Sequence, residues 1–350
     1  MVKYLFCAGG TGGHIYPALT LAEKFKEAGH EVTFIGARSR MENKVIPERG
    51  YPFIALDIRN YNGFLIGKLQ GIFSFVSNYL KCLKLVEEYD VVVGFGNYIS
   101  LPVVLAAKQR KKKTVIHEQN SFPGKANRVL DQRVDLVIGS YKENLDYFKN
   151  PHTEILGNPQ SSVNTIEKSD YFHKMGLDEE LPKVLMFFGS LGSETVDKVV
   201  HKMLDEHDKL PFNLLYASGE SYIHNYDGFR KDNVKVVNRV EGSLALADTD
   251  LLISRAGATT ICEISALGVA SILIPSPYVT NNHQYYNALS LVNIDAAKVI
   301  EEKNLTPELL YKTIIDCLSD TKTLETMKKQ AKTLGNPKAC EKIAERIMSL

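Results

Sequence analysis

Short apolar runs alternate with longer stretches of helical periodicity along the first half of the chain. Residues 3–8, 31–36, 90–95, 114–117 and 136–139 are strand-like and apolar along nearly their whole length. Between the first two, residues 17–28 carry Leu19, Ala22 and Phe25 at helical spacing. Strands without polar alternation are buried on both faces, so the pattern predicts parallel sheets covered by helices on either side. The pattern restarts at residues 183–188 and continues through 212–217, 234–237, 251–254 and 271–274. Residues 158–182 are polar and hold no long apolar run, which places a domain boundary near 158–162. The expected organisation is α/β: a domain over 1–160, a second over 161–335, and a terminal helix over 336–350 that packs back on the first. In doubly wound domains of this kind, ligands sit at the C-terminal ends of the strands, here in the cleft expected between the domains.

Composition changes this picture little. Of 350 residues, 44% are hydrophobic and 24% charged, which excludes a disordered chain. No apolar run approaches the roughly 18 residues of a membrane span, and the N-terminus shows no signal-peptide pattern. Five widely spaced cysteines without a CxxC signal neither disulfides nor zinc, and fit a reducing cytoplasm. Charge is uneven. Residues 1–160 carry 21 Lys and Arg against 15 Asp and Glu, whereas residues 161–350 carry 21 against 26. The basic half suits an anionic surface or ligand, and is too dispersed to signal nucleic acid.

Candidate chemistry gathers where strands give way to helices. Gly9-Gly10-Thr11-Gly12-Gly13-His14 follows the first strand. Its glycines let backbone N–H groups approach a ligand, and a helix start favours negative charge. The loop is no Walker A sequence and misses the GxGxxG spacing. The second strand ends in Gly36-Ala37-Arg38, without the acid that binds an NAD ribose, which leaves NADP open through Arg38. A second glycine loop, residues 189–193, has the same strand-to-helix setting. A third segment, residues 254–263, opens a helix on small residues and carries Glu263. A helix start beside Gly257 suits a diphosphate, and Glu263 either accepts from a ribose diol or simply favours the helix dipole.

Five strings in order then resemble one family. They are GGTGGHIYPAL at residues 9–19, HEQN at 117–120, GNP at 157–159, SRAGATTICE at 254–263 and PSPYVTNNHQYYNAL at 275–289. Together they resemble the MurG family of peptidoglycan GlcNAc transferases over nearly the whole chain. The resemblance implies a GT-B fold of two Rossmann-like domains, the first facing acceptor and membrane and the second binding UDP-GlcNAc. It implies inverting transfer of GlcNAc from UDP-GlcNAc to the C4 hydroxyl of MurNAc in lipid I, forming lipid II at the cytoplasmic face of the plasma membrane. No cofactor or metal is implied. Position by position, Thr11, Gly12 and Gly13 match the loop beside donor sugar and acceptor diphosphate, and Asn120 a donor-contacting asparagine. Ser190 matches a serine near the nucleotide phosphates, and Val240 a residue whose backbone meets uracil. Ala258, Thr259, Thr260, Ile261, Cys262 and Glu263 match the diphosphate- and ribose-binding segment, with Glu263 on the ribose. Gln284 matches a glutamine that reads GlcNAc hydroxyls.

The chain departs from the family pattern at several points. Gln160-Ser161 replaces Val-Arg after GNP, so a donor-contacting arginine is absent and Gln160 is the residue left to compensate by hydrogen bonding. Phe188 and Leu191 replace a glycine and a glutamine, and Asn97 stands where glycine is usual.

Inverting transfer needs a base for the acceptor hydroxyl and charge stabilisation for the departing UDP. His14 is the first-choice base. Glu118, at a strand end among His117, Gln119 and Asn120, is the alternative base or an orienting carboxylate, and His117 reads as structural. Asp248-Thr249-Asp250 spells DxD but reads as a solvated turn and helix end.

Residues 61–86 place Phe64, Leu65, Leu69, Ile72, Phe73, Val76 and Leu80 at helical spacing with Lys68, Lys81 and Lys84 interspersed, and residues 108–113 are basic. Both suit an anionic bilayer surface. The competing functions are a UDP-GlcNAc 2-epimerase, which needs no lipid acceptor, and an inactive nucleotide-sugar-binding subunit.

Overall fold

The computed structural model describes residues 1–58, 65–162, 169–178, 180–189 and 191–350, without the side chains of residues 65–69, 162 and 280. The chain forms two compact units, Met1–Ser162 with Pro337–Leu350, and Val163–Asn336.

The first unit is a seven-stranded parallel sheet. Its strands are β1 (Lys3–Cys7), β2 (Glu31–Ala37), β3 (Phe53–Leu56), β4 (Val91–Gly94), β5 (Lys113–Glu118), β6 (Leu136–Gly139) and β7 (Thr153–Ile155). They lie in the order β3-β2-β1-β4-β5-β6-β7. In register, Phe6 pairs with Phe34 on one side of β1, and Cys7 with Gly94 on the other. Successive crossovers leave β1 in opposite directions, so the sheet's switch point lies between the ends of β1 and β4. Helices Gly12–Glu27 and Ala339–Met348 cover one face over a core that includes Phe6, Phe25, Phe34 and Ile343. Helices Leu65–Leu85 and Asn97–Gln109 cover the other, over Cys7, Ile35, Cys82 and Val103. The terminal helix is fastened by Arg346, whose Nε donates to Glu154 Oε1 at 2.7 Å.

The second unit repeats the plan with six parallel strands: β8 (Lys183–Phe187), β9 (Asn213–Ala217), β10 (Val234–Val237), β11 (Leu251–Ser254), β12 (Ala270–Leu273) and β13 (Ala297–Val299). The order is β10-β9-β8-β11-β12-β13, with the switch point between β8 and β11.

Three strands escaped the sequence pattern. β3, β7 and β13 are edge strands of only three or four residues, too short for a run to stand out. The first helix begins at Gly12, not Pro17, because Pro17 is tolerated inside it. Asp248 is the helix end that the sequence suggested, but it is not solvated. Asp248 accepts from Phe172 N–H at 2.8 Å and pairs with Lys183 Nζ at 2.6 Å, while Asp250 accepts from Lys183 N–H at 3.0 Å. They staple the start of β8 to the turn before β11. The basic run at 108–113 is likewise tied down: Lys108 pairs with Asp135, Arg110 donates to Leu83 O, and Lys112 to Glu87 O.

Candidate active site

Each switch point carries the glycine loop that the sequence placed after a first strand. In the first unit, β1 runs into residues 9–13, and two of these glycines make room for the protein's own side chains rather than for a ligand. A Cβ on Gly9 would meet Glu42 Oε1 at 2.3 Å, and one on Gly10 would meet Asn97 Nδ2 at 2.0 Å. Gly10 also has φ +87°, a left-handed conformation that a side chain disfavours. Glu42 is completely buried. Its Oε2 accepts from Gly10 N–H and its Oε1 from Ala37 N–H, both at 3.0 Å. Asn97 Nδ2 donates to Gly9 O at 3.1 Å. Its φ of +69° shows why glycine is usual there and why asparagine, tolerant of this region, can replace it.

Past this clamp, Thr11 precedes the helix and Gly12 and Gly13 form its first turn. That turn holds no acidic residue and no capping side chain. Thr11 Oγ1 lies 2.9 Å from His14 Nδ1. The His14 ring lies across Gly96 from Asn127: a Cβ on Gly96 would be 3.3 Å from His14 Cδ2 and 3.4 Å from Asn127 Nδ2.

Asn127 leads on to Glu118 at the end of β5. Glu118 is buried, and burial raises its pKa against the pull of four hydrogen bonds. Oε1 accepts from the backbone and side-chain N–H groups of Asn120 at 3.0 and 3.1 Å. Oε2 accepts from Gly124 N–H and Asn127 Nδ2, each at 2.9 Å. A carboxylate so engaged orders residues 118–127 and sets the Asn120 amide. His117 is buried, its Nε2 3.0 Å from Gly157 O, and desolvation lowers its pKa to about 4. It is neutral at physiological pH, as a structural histidine requires. In the first unit the fold thus brings Thr11, Gly12, Gly13, His14, Glu118 and Asn120 to one end of the sheet.

In the second unit, helix Ala258–Leu267 starts at the end of β11 with no capping side chain and no acid in its first turn. Among the described residues the Ala258 and Thr259 amides have no acceptor; the first bond of the turn is Ile261 N–H to Gly257 O at 2.9 Å. Such a start favours negative charge beside it. Ala258, Ile261 and Cys262 are buried, so they offer backbone only, while Thr259, Thr260 and Glu263 are partly accessible. Glu263 lies in the second turn, past the reach of a helix-start role. Among the described residues it has no hydrogen-bond partner, and burial alone raises its pKa to about 7. A Cβ on Gly242, two residues beyond Val240, would lie 3.9 Å from Glu263 Oε1. Val240 is half-buried after β10. Gln284 Oε1 accepts from Ser276 N–H at 2.9 Å, which leaves its amide nitrogen as the donor end of the side chain. Asn287, on the same helix, donates to Ala256 O at 3.1 Å and fixes that helix against residues 255–257. Ser190 lies outside the described residues.

Three residues with a clear place here carried no assignment from sequence. Glu42 and Asn127 lie in no motif and in no element that the sequence pattern picked out. Arg255 ties the second glycine loop to its surroundings: Nη2 donates to Ser193 Oγ at 2.7 Å and pairs with Glu302, Nη1 donates to Ile274 O, and the guanidinium lies 5.9 Å from the Phe188 ring. Only its position, a lone cation among small residues at a strand end, hinted at this. Gln160 is buried and its amide nitrogen donates to Thr20 Oγ1 within the first unit, so at least one of its hydrogen bonds serves the fold.

Two doubly wound parallel units, each with a glycine loop and helix start at its switch point, are the paired Rossmann-like domains of the GT-B fold. Residues 4–138 match the N-terminal domain of glycosyltransferase family 28, and residues 183–346 match its C-terminal domain. A UDP-N-acetylglucosamine–N-acetylmuramyl-(pentapeptide) pyrophosphoryl-undecaprenol N-acetylglucosamine transferase from Acetivibrio thermocellus is 36% identical over all of this chain and 98% of its own length. The crystal structure of MurG from Acinetobacter baumannii superposes with a TM-score of 0.84 at 25% identity, each chain covered completely. The chain belongs to this family of N-acetylglucosamine transferases. A UDP-N-acetylglucosamine 2-epimerase structure from Listeria monocytogenes, at TM-score 0.71 and 15% identity over 99% of this chain and 96% of its own, shares the fold alone.

Proposed function

We propose that the protein transfers GlcNAc from UDP-GlcNAc to the C4 hydroxyl of MurNAc in lipid I, with inversion, giving lipid II for cell-wall synthesis. Full-length likeness to transferases named for this reaction carries the reading, and the site chemistry supports it. His14 takes the proton of the acceptor hydroxyl as C4–O bonds to the anomeric carbon and the UDP oxygen departs. The His14 ring is held through Thr11 at the head of a helix. Glu118 acts as the orienting carboxylate, since both its oxygens are already engaged. The bare helix start at Ala258–Leu267 receives the diphosphate, whose negative charge grows as the bond breaks. Glu263 accepts from the ribose diol, Val240 lies beside uracil, and Gln284 donates to GlcNAc. UDP-GlcNAc and lipid I are the partners.

The acceptor's membrane anchor fits an apolar stripe on helix Leu65–Leu85. Ile72, Phe73, Val76 and Leu80 are 61, 77, 45 and 58% exposed, while Tyr79, Cys82 and Leu83 on the same helix face the core. Lys81 and Lys84 are exposed beside them. Phe64 lies outside the described residues. Among the described residues no helix is long and apolar enough to cross a membrane. The stripe would lie in the headgroup layer of the cytoplasmic leaflet, each lysine adding about 1 kcal/mol on an anionic surface.

The test is UDP release from UDP-GlcNAc with and without a soluble lipid I analogue. Release only with the analogue, with a product heavier by one GlcNAc, is expected. Interconversion of free UDP-sugar without acceptor would make the protein an epimerase. Tight binding without release would make it a binding subunit.

A further inference from the structure

Glu42 is a completely buried acid with no cation paired to it among the described residues, and it lies in no motif. Burying such a group is costly unless its hydrogen bonds accomplish something a hydrophobic side chain could not. Its two oxygens join the end of β2, through Ala37 N–H, to the loop after β1, through Gly10 N–H. From the opposite flank Asn97, just past β4, takes the preceding carbonyl, Gly9 O. The single peptide unit joining Gly9 to Gly10 is therefore gripped at both its polar atoms, from both sides of β1, and Gly9 and Gly10 are glycines because these side chains fill the space a Cβ needs. The Gly10 N–H is spent on Glu42 and is not a phosphate donor. The turn that begins there delivers Thr11 and, through its hydroxyl, His14.

We propose that Glu42, together with Asn97, is a positioning residue that holds residues 9–14 in the turn aiming His14 at the acceptor hydroxyl. This deepens the transferase reading and rests on it. Glu42 touches no substrate. It acts by fixing the loop before substrate arrives, so that no binding energy is used to order it.

The test is Glu42→Gln in the full-length chain. A carboxamide can accept from one of the two N–H groups but turns its own NH2 toward the other. The expected result is a kcat lower by about 10- to 100-fold with the UDP-GlcNAc KM held within about twofold, since the residues proposed to hold the diphosphate, ribose and uracil lie in the other unit. The NMR titration of His14 should shift as well. A wild-type kcat with an unchanged His14 titration overturns the proposal. So does a fall in activity that merely follows the fraction of folded protein. If the variant does not fold, hydrogen exchange in the wild-type chain decides. A Gly10 amide protected by about 100-fold supports the clamp, and one exchanging at the free rate overturns it. Should the wild-type chain transfer no GlcNAc, the functional reading fails by itself, and the His14 titration still tests Glu42.

Discussion

The two switch points look alike in sequence and differ in how their polar atoms are satisfied. In the first unit a buried carboxylate and an asparagine amide occupy the space behind Gly9 and Gly10, and every oxygen of Glu42 and Glu118 has a backbone or amide donor. In the second, the helix start after β11 has no capping side chain, and Glu263 is held in a partly buried position without a hydrogen bond among the described residues. The first region is finished without substrate, which suits the base-aiming role proposed for it. The second is left polar, which suits the nucleotide-binding role proposed for it. Gly9 and Gly10 make room for the protein's own side chains, whereas a Cβ on Gly257, at that helix start, would meet nothing closer than Thr260 Oγ1 at 3.9 Å.

The largest effect that would break this division is at His14. His14→Ala should lower kcat by about 10²- to 10⁴-fold, the usual worth of a general base, with little change in the UDP-GlcNAc KM. Near-normal turnover in a steady-state assay would remove His14 as base. Glu118→Gln comes next. Replacing one engaged oxygen by an NH2 group sets donor against donor in a buried site, a loss of about 3 kcal/mol that thermal unfolding will show as a lower Tm. Loss of kcat with an undiminished Tm would instead make Glu118 a reacting group.

Much of the second region was legible and much of the first was not. Parallel strands announce themselves because burial on both faces makes them continuously apolar, so β1, β8 and β11 stood out. Ala258 to Glu263 could be placed because a helix opening on small residues is a local pattern. Glu42 is the contrary case. It sits in an unremarkable helix more than thirty residues from the loop it holds, a separation of 32 positions to Gly10. Only the parallel pairing of β1 with β2 brings them together. Asn127 meets Glu118 across nine positions, through the loop that leads from β5 into the next helix. For Asn97, the departure from glycine was visible but its cause, a left-handed φ, was not. Long-range satisfaction of buried polar atoms leaves no periodicity to read.

The second region's assignment is tested by Glu263→Ala. Loss of a ribose acceptor should lower kcat/KM for UDP-GlcNAc by about 10- to 30-fold, chiefly through KM, the worth of a hydrogen bond to a charged group. Unchanged donor kinetics would show that Glu263 binds no ribose.

The smallest effect separates an unsatisfied carboxylate from a braced one by pH alone. Burial lifts the Glu263 pKa to about 7, above the ordinary glutamate value it regains on unfolding. Between those two values the folded chain holds a proton that the unfolded chain has released. Its contribution to stability is therefore fully present below about pH 4.5 and is lost as pH rises through about 7. Glu263→Gln has no such proton to lose. The Tm of the variant relative to wild type should accordingly climb between pH 5 and pH 8 in the absence of nucleotide. A ribose diol needs the ionised carboxylate, so donor binding should run the other way in the wild type. The UDP-GlcNAc KM should rise about tenfold at one pH unit below the pKa, and in Glu263→Gln this dependence should vanish. A Tm difference that is flat from pH 5 to pH 8 would mean that Glu263 is already satisfied in the free protein, and the contrast between the two switch points would then fail at its second member.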